Sequence, residues 1–170
     1  MIVLIGLGVL VWLLMPRSPG VPFAPQAPVS RFGYNRILNP MTLRGQDTYG
    51  SGLYLASRDN GARKHLGADF VTNKGESVLA PFTGKVVRHS KPYSDDNRFD
   101  GIEIQNQENF DYVKIFYMSP VGKIGDVVKV GSRVGFAQDL TMKYPNITNH
   151  VHVELYNKDS KPLNPERAFV

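Results

Sequence analysis

Asn149-His150-Val151-His152-Val153-Glu154-Leu155 is the stretch on which the reading of this chain turns. Polar and apolar residues alternate through it, and successive side chains of a β-strand point to opposite faces. His150, His152 and Glu154 therefore share one face. Val151, Val153 and Leu155 share the other, which reads as core. Two imidazoles on one strand face lie roughly 7 Å apart at the backbone. One of them can bind a metal while the other reaches a substrate. A pair of surface histidines on a solvated strand is the plainer alternative. Glu154 reads as a partner behind a ligand, or a solvated edge residue, ahead of a ligand itself.

Short strands separated by turn residues extend outward from this stretch. Ser77-Val78-Leu79-Ala80 ends at Pro81, and Thr83-Gly84 turns the chain into Lys85-Val86-Val87-Arg88. Ile102-Glu103-Ile104-Gln105 alternates as a half-buried strand does, and Tyr112 to Tyr117 is β-branched and aromatic. Val127 to Val130 and Val134 to Ala137 are two further short strands around Gly131. No long 3.6-residue period follows Pro40. The expected class is mainly β, with antiparallel sheets and short turns. The charged run from Ser94 to Asp100 reads as a solvated hairpin loop.

With 170 residues, the chain suits one domain plus a tail. It contains no cysteine, which excludes a disulfide scaffold, a cysteine-based zinc finger and a cysteine nucleophile. A charged fraction of 21% with 11% aromatics argues against a disordered chain. The net charge of +5 is scattered and selects no anionic partner. No lysine-arginine run or aromatic-basic motif supports nucleic-acid binding.

The N-terminal residues differ in kind from the rest. Residues 2–15, IVLIGLGVLVWLLM, carry no polar side chain. As a helix they would span roughly 21 Å, short of a ~30 Å hydrocarbon core. The expectation is an uncleaved membrane anchor helix over residues 1–16; a cleaved signal and a buried helix are the alternatives. The nearby charges Arg17, Arg31 and Arg36 all follow the span, which taken literally keeps the domain in the cytoplasm. In a virion membrane, where assembly sets orientation, that conflict disappears. Six of the twelve prolines lie between Pro16 and Pro40. Residues 17–46 are therefore expected to form a Pro-rich linker or stalk in extended polyproline II. In the alternative, this segment is an ordered arm docked through Phe23, Phe32 and Tyr34. Residues 47–170 form the expected domain.

A second polar group is His65-Leu66-Gly67-Ala68-Asp69. An imidazole and a carboxylate at this spacing can converge around a bend, and Gly67 permits close backbone approach. With the first stretch it supplies a His-Asp-His set with His150 beside it. Three ligands with an open fourth position is the arrangement of a catalytic zinc site, and nitrogen and oxygen donors suit zinc better than magnesium or calcium.

HxGxD followed far downstream by HxH resembles the lysostaphin/LytM-type zinc metalloendopeptidases, which cleave peptide cross-links in bacterial cell walls. Val78 to Val87 resembles the strand-turn-strand after that family's first motif, and Gly61-Ala62-Arg63 its glycine-x-arginine. The resemblance covers roughly residues 47–158. It implies the duplicated hybrid motif fold, zinc ligands His65, Asp69 and His152, a catalytic His150, and a peptidoglycan peptide as substrate. The leukocyte cell-derived chemotaxin branch is most similar, through Asp47, Gly50, Gly52, Tyr54, Arg58, Ala80 to Gly84, Lys91-Pro92-Tyr93, Phe116-Tyr117 and Tyr144-Pro145. Those relatives have disulfides and this chain has none, which points to a bacterial or phage member.

The resemblance has one gap. Active members carry a further histidine in a tyrosine-x-histidine segment, and here Ser119, or else Met118, stands in its place. The chemotaxin branch lacks that histidine too and is regarded as a zinc-binding module. A hydroxyl cannot replace imidazole as a general base near neutrality, though it can orient a water or donate to an oxyanion. Tyr54 and Tyr117 are further candidates to line the cleft. His89 could fill the gap, but Arg88-His89-Ser90 reads as an exposed strand end. The expected function is a membrane-anchored zinc endopeptidase of the bacterial envelope or a virion membrane. Its domain would face the cell wall, acting in phage entry or wall remodelling. A zinc-binding module that recognises wall, glycan or protein without cutting is the alternative.

Overall fold

The alternating stretch around His152 forms the spine of the observed fold. In the computed structural model, which describes residues 33–170, it is an inner strand of a seven-stranded antiparallel sheet. In chain order the strands are β1 (Gln46–Asp47), β2 (Gly50–Ser51), β3 (Ser57–Arg58), β4 (Arg63–Lys64), β5 (Ala68–Val71), β6 (Ser77–Leu79) and β7 (Gly84–Ser90). They continue with β8 (Gly101–Asn106), β9 (Tyr112–Phe116), β10 (Met118–Pro120), β11 (Val127–Val128), β12 (Arg133–Ala137), β13 (His150–Tyr156) and β14 (Pro162–Leu163). A short helix α1 (Pro165–Phe169) closes the chain. The large sheet has the order β11-β7-β8-β9-β13-β14, with β5 also paired to β13. β10-β12-β6 form a second sheet, and β1-β2 and β3-β4 are two small hairpins.

The expected mainly β, antiparallel architecture is therefore present. Among the described residues, no helix is long and apolar enough to cross a membrane. The expected anchor over residues 1–16, and the stalk as far as residue 32, lie outside the described residues.

Each strand's core face follows from its alternation. Ile102 and Ile104 on β8, Val113 and Ile115 on β9, and Val151, Val153 and Leu155 on β13 are all fully buried. Burying such a side chain contributes about 1.5–3 kcal/mol. Val78, Val134 and Ala137 extend the same core from the smaller sheet. The core also takes in Tyr34, Ile37 and Leu38, which composition placed in the linker. The Asn35 amide donates to the Pro81 carbonyl and the Leu79 amide to the Ile37 carbonyl. The packed domain thus starts by Tyr34, earlier than the residue 47 expected from sequence. For Tyr34 the docked-arm alternative, and not the stalk, describes the structure.

The charged run between β7 and β8 is a hairpin loop as expected, but it is anchored. Phe99 within it is fully buried, and Asp96 receives hydrogen bonds from Arg98 and Lys143.

Candidate metal centre and cleft

Strand register assembles the site. In antiparallel pairs, directly opposed residues project to the same face. On β13 and β5, His152 opposes Asp69, while the core residues Val151 and Val153 oppose Phe70 and Ala68. Asp69 and His152 must therefore leave the sheet on the side away from the core. His65 lies just before β5, and its amide donates to the Ala56 carbonyl, which holds it over the same face. Gly67 makes this approach possible. A Cβ there would lie 2.4 Å from the Val153 carbonyl oxygen and 2.6 Å from His152 Nε2.

Ligand atoms of His65, Asp69 and His152 all lie within 4.8 Å of one another. His65 Nε2 is 2.9 Å from His152 Nδ1, and Asp69 Oδ1 lies 2.9 Å from the same nitrogen. The outer contacts orient the rings. His65 Nδ1 is 2.8 Å from the Leu53 carbonyl, which can only accept, so His65 Nε2 is left to face the cluster. His152 Nε2 lies 3.3 Å from Glu154 Oε1, which in the same way leaves Nδ1 facing inward. Glu154 also accepts from the Tyr156 hydroxyl at 2.8 Å. It acts as the partner behind His152 that its strand face suggested. Once His152 gives up its inner proton, two nitrogen donors and one oxygen donor face inward, and these fit a zinc ion in their chemistry and number.

The electrostatics agree with that fit. Burial pushes the Asp69 carboxyl up, but hydrogen bonds from His152 and His65 outweigh it and hold Asp69 well below its usual range. Burial alone would lower His152, yet its contacts with Asp69 and Glu154 raise it to about 9. A bound cation would displace the inner His152 proton and take its place beside the Asp69 carboxylate.

His150 stands beside these three residues and is buried. Its Nδ1 is 2.7 Å from the Thr148 carbonyl, so Nε2 faces the cleft, 3.6 Å from Asp69 Oδ2. Burial lowers its pKa, so the ring is neutral near neutrality with an unprotonated Nε2. The Tyr117 ring meets it edge-to-face at 5.6 Å. The Tyr117 and Tyr144 hydroxyls each lie 2.9 Å from that of Tyr93, and Lys143 sits 4.3 Å above the Tyr93 ring.

Tyr93 and Tyr144 line one cleft of about 470 Å³, together with Arg44, Arg58, Arg63, Lys91 and Phe116. His65, Asp69, His150 and His152 are all in its wall, as are Tyr117 and Glu154. Ser119 and Tyr54 are not among the lining residues. The backbone of Tyr117 has φ 65°, at the bend where the chain leaves β9 of the large sheet for β10 of the small one. That turn keeps the Tyr117 ring in the cleft, buries Met118 and leaves Ser119 exposed opposite Phe136. The Tyr54 amide is engaged with the Glu166 carboxylate. His89 is exposed, its Nε2 2.8 Å from the Gly122 carbonyl. One residue, Arg44, had no signal in the sequence. It is 3% exposed and donates to Asp69 Oδ2 through Nε and Nη2 at 3.1 and 2.9 Å.

An antiparallel β domain whose register closes two histidines and an aspartate over one cleft is the build of a zinc peptidase. The chain belongs to Peptidase family M23, whose model matches residues 63–165. The family is one of zinc-dependent peptidases. Leukocyte cell-derived chemotaxin-2 of Mus musculus is 42% identical over 113 residues, 66% of this chain and 72% of that protein. The catalytic domain of the antimicrobial peptidase lysostaphin from Staphylococcus simulans superposes with a TM-score of 0.54 at 25% identity, covering 75% of this chain and 91% of that domain. LytU has the same fold, with a TM-score of 0.54 at 22% identity over 73% of this chain and 82% of that one.

Proposed function

We propose that this chain is a zinc endopeptidase that cleaves peptide cross-links of bacterial peptidoglycan, held at a membrane of the bacterial envelope or a virion by residues 2–15. The observation that carries the reading is the convergence of His65 Nε2, Asp69 Oδ1 and His152 Nδ1 beside a neutral His150. His65, Asp69 and His152 would hold the ion. Zinc bound there supplies Lewis-acid polarisation of the scissile carbonyl.

The remaining work falls to the chain's own side chains. His150 Nε2 presents a lone pair to the cleft and can take the proton of an attacking water. Tyr117, pushed up to about 12 chiefly by burial, stays protonated and can donate to a developing oxyanion. Leu53 and Glu154 hold the two ligand rings in place, so little reorganisation accompanies reaction. Residues 17–32 would carry the domain away from the membrane towards the wall, in phage entry or wall remodelling.

A second reading rests on one observation. The resemblance called for another imidazole where Ser119 stands, and Ser119 is exposed and outside the cleft, while the Tyr117 ring packs against His150. A zinc-stabilised module that binds wall, glycan or protein without cutting would have this arrangement. Digestion of purified peptidoglycan, with and without chelator, separates the two. New amino termini that vanish on chelation establish the peptidase. None under either condition, with stoichiometric zinc retained, establishes the module.

A further inference from the structure

The cleft carries four cations, and three of them are answered by a carboxylate. Arg44 pairs with Asp69 and Asp47. Arg63 pairs with Asp59 at 2.9 Å, and Lys91 pairs with Asp100. The fourth is Arg58, on β3. Among the described residues, no carboxylate stands within ion-pair distance of it.

Arg58 is nevertheless held in place. Its Nη2 donates to the Ser51 carbonyl at 2.7 Å, and Nη1 to its neighbour Ser57 at 3.1 Å. Neutral carbonyls fix the guanidinium without cancelling its charge, and its other N–H groups remain as donors. The group is half-buried and lies in the wall that also holds His65 and Asp69. The acids of the cleft cannot serve it, since Asp69 is taken by Arg44 and Glu154 by His152 and Tyr156. A half-desolvated, pre-positioned guanidinium with free donors matches the planar, bidentate geometry of a carboxylate.

We propose that Arg58 is a substrate-binding residue that receives a free carboxylate of the peptide, so that this cleft selects anionic peptides over their neutral counterparts. The inference deepens the peptide reading above and rests on it. The carboxylate would enter beside the three ligand residues, on the β3 side of the cleft. Its binding leaves Arg58's two backbone contacts intact, because they use different donors. The anchored fork then loses little freedom on binding.

The test is a matched pair of soluble cross-link peptides, one with its carboxylates free and one with them converted to carboxamides. Binding to the zinc-loaded full chain is measured by calorimetry, for wild type, Arg58→Met and Arg58→Lys. One charge-assisted bidentate contact predicts a preference of roughly 10-fold or more for the carboxylate form in wild type. Arg58→Met should abolish that preference, chiefly by weakening the carboxylate form, while an unchanged zinc content and circular dichroism spectrum show that the variant is folded. Arg58→Lys should retain part of it, since the charge persists and the fork does not. Equal binding of the two peptides by wild type overturns the proposal, as does a preference that survives in Arg58→Met. If wild type binds neither peptide, the peptide reading itself falls, and the assignment of Arg58 falls with it.

Discussion

Arg44 grips Asp69 by one oxygen and leaves the other to the histidines: Nε and Nη2 both donate to Oδ2, while Oδ1 faces His65 and His152. Both side chains are almost fully buried, and the Asp69 carbonyl also accepts from the Arg44 amide at 2.8 Å. The guanidinium thereby fixes which carboxylate oxygen is presented to a cation. A Cβ at Gly52 would lie 2.9 Å from the Cβ atoms of both residues, so the pair is tightly enclosed.

Arg44→Met leaves the Asp69 charge buried without its partner. Removing one member of a buried pair destabilises by about 3–5 kcal/mol. The loss should be smaller in saturating zinc, which restores a positive partner, and it is read from urea unfolding with and without metal. Zinc affinity, measured by chelator competition, should fall roughly 10–100-fold, as for other partners behind metal ligands. Unchanged affinity would show that Arg44 does not orient the carboxylate.

Two histidines on one strand face should separate by experiment. His152→Ala removes a donor and should abolish stoichiometric zinc in metal analysis of the purified chain. His150→Ala should keep zinc and lower peptidoglycan cleavage by about 10²–10⁴-fold, the usual contribution of one acid–base group. Equal zinc in wild type and His152→Ala would undo the ligand assignment.

Gly67→Ala places a methyl group against a backbone carbonyl, which cannot rotate away. Overpacking of this kind costs about 1–3 kcal/mol. Because the same methyl group presses on the His152 ring, zinc affinity should fall together with thermal stability. A variant as stable as wild type with full zinc affinity contradicts the close approach of His65–Asp69 to β13.

Ser119→Ala should leave activity and zinc content unchanged, since Ser119 is exposed and outside the cleft. Tyr117→Phe, which keeps the ring and removes the hydroxyl, should lower kcat with little change in KM if the phenol acts only in the transition state. Loss of activity in Ser119→Ala would return that serine to the site.

The loop between β7 and β8 predicts an acid-side effect. Hydrogen bonds from Arg98 and Lys143 hold the Asp96 carboxyl below its usual 3.8. A depressed native pKa means that the unfolded chain binds the proton more readily. The contribution is therefore complete above the unfolded pKa, declines as pH falls below it, and is gone only once pH has fallen through the depressed folded pKa. Comparing urea midpoints of wild type and Asp96→Asn at about pH 5 and about pH 2.5 should show the gap between them closing in acid. A gap as wide at about pH 2.5 as at about pH 5 would remove Asp96 from the account.

The alternation of β13 was legible because its period of two matches a sheet with one face on the core, and His150, His152 and Val151 fell on their faces accordingly. His65 and Asp69 were legible as a spaced pair, but their meeting with His152 depends on the β5–β13 register, which no local pattern encodes. Arg44 was hidden, and Tyr34 was legible only as part of the docked-arm alternative, for a related reason. Each lies in a stretch whose proline content signals extended chain, and each is buried by partners that are distant in sequence, Asp69 in one case and Phe82 and Asp111 in the other. Ser119 was a candidate only through the tyrosine-x-histidine resemblance; the chain passes from β9 to β10 through left-handed Tyr117, and Ser119 ends exposed and outside the cleft.

β13 is bonded on one edge to β9 and on the other first to β5 and then to β14. An amide in such a strand exchanges with deuterium only when the sheet itself comes apart. The backbone of His152 should thus rank among the slowest-exchanging positions, with a protection factor that reports global stability. Asp69 and His152 both sit within paired strands, so their part of the centre should persist up to the cooperative unfolding of the domain and vanish with it.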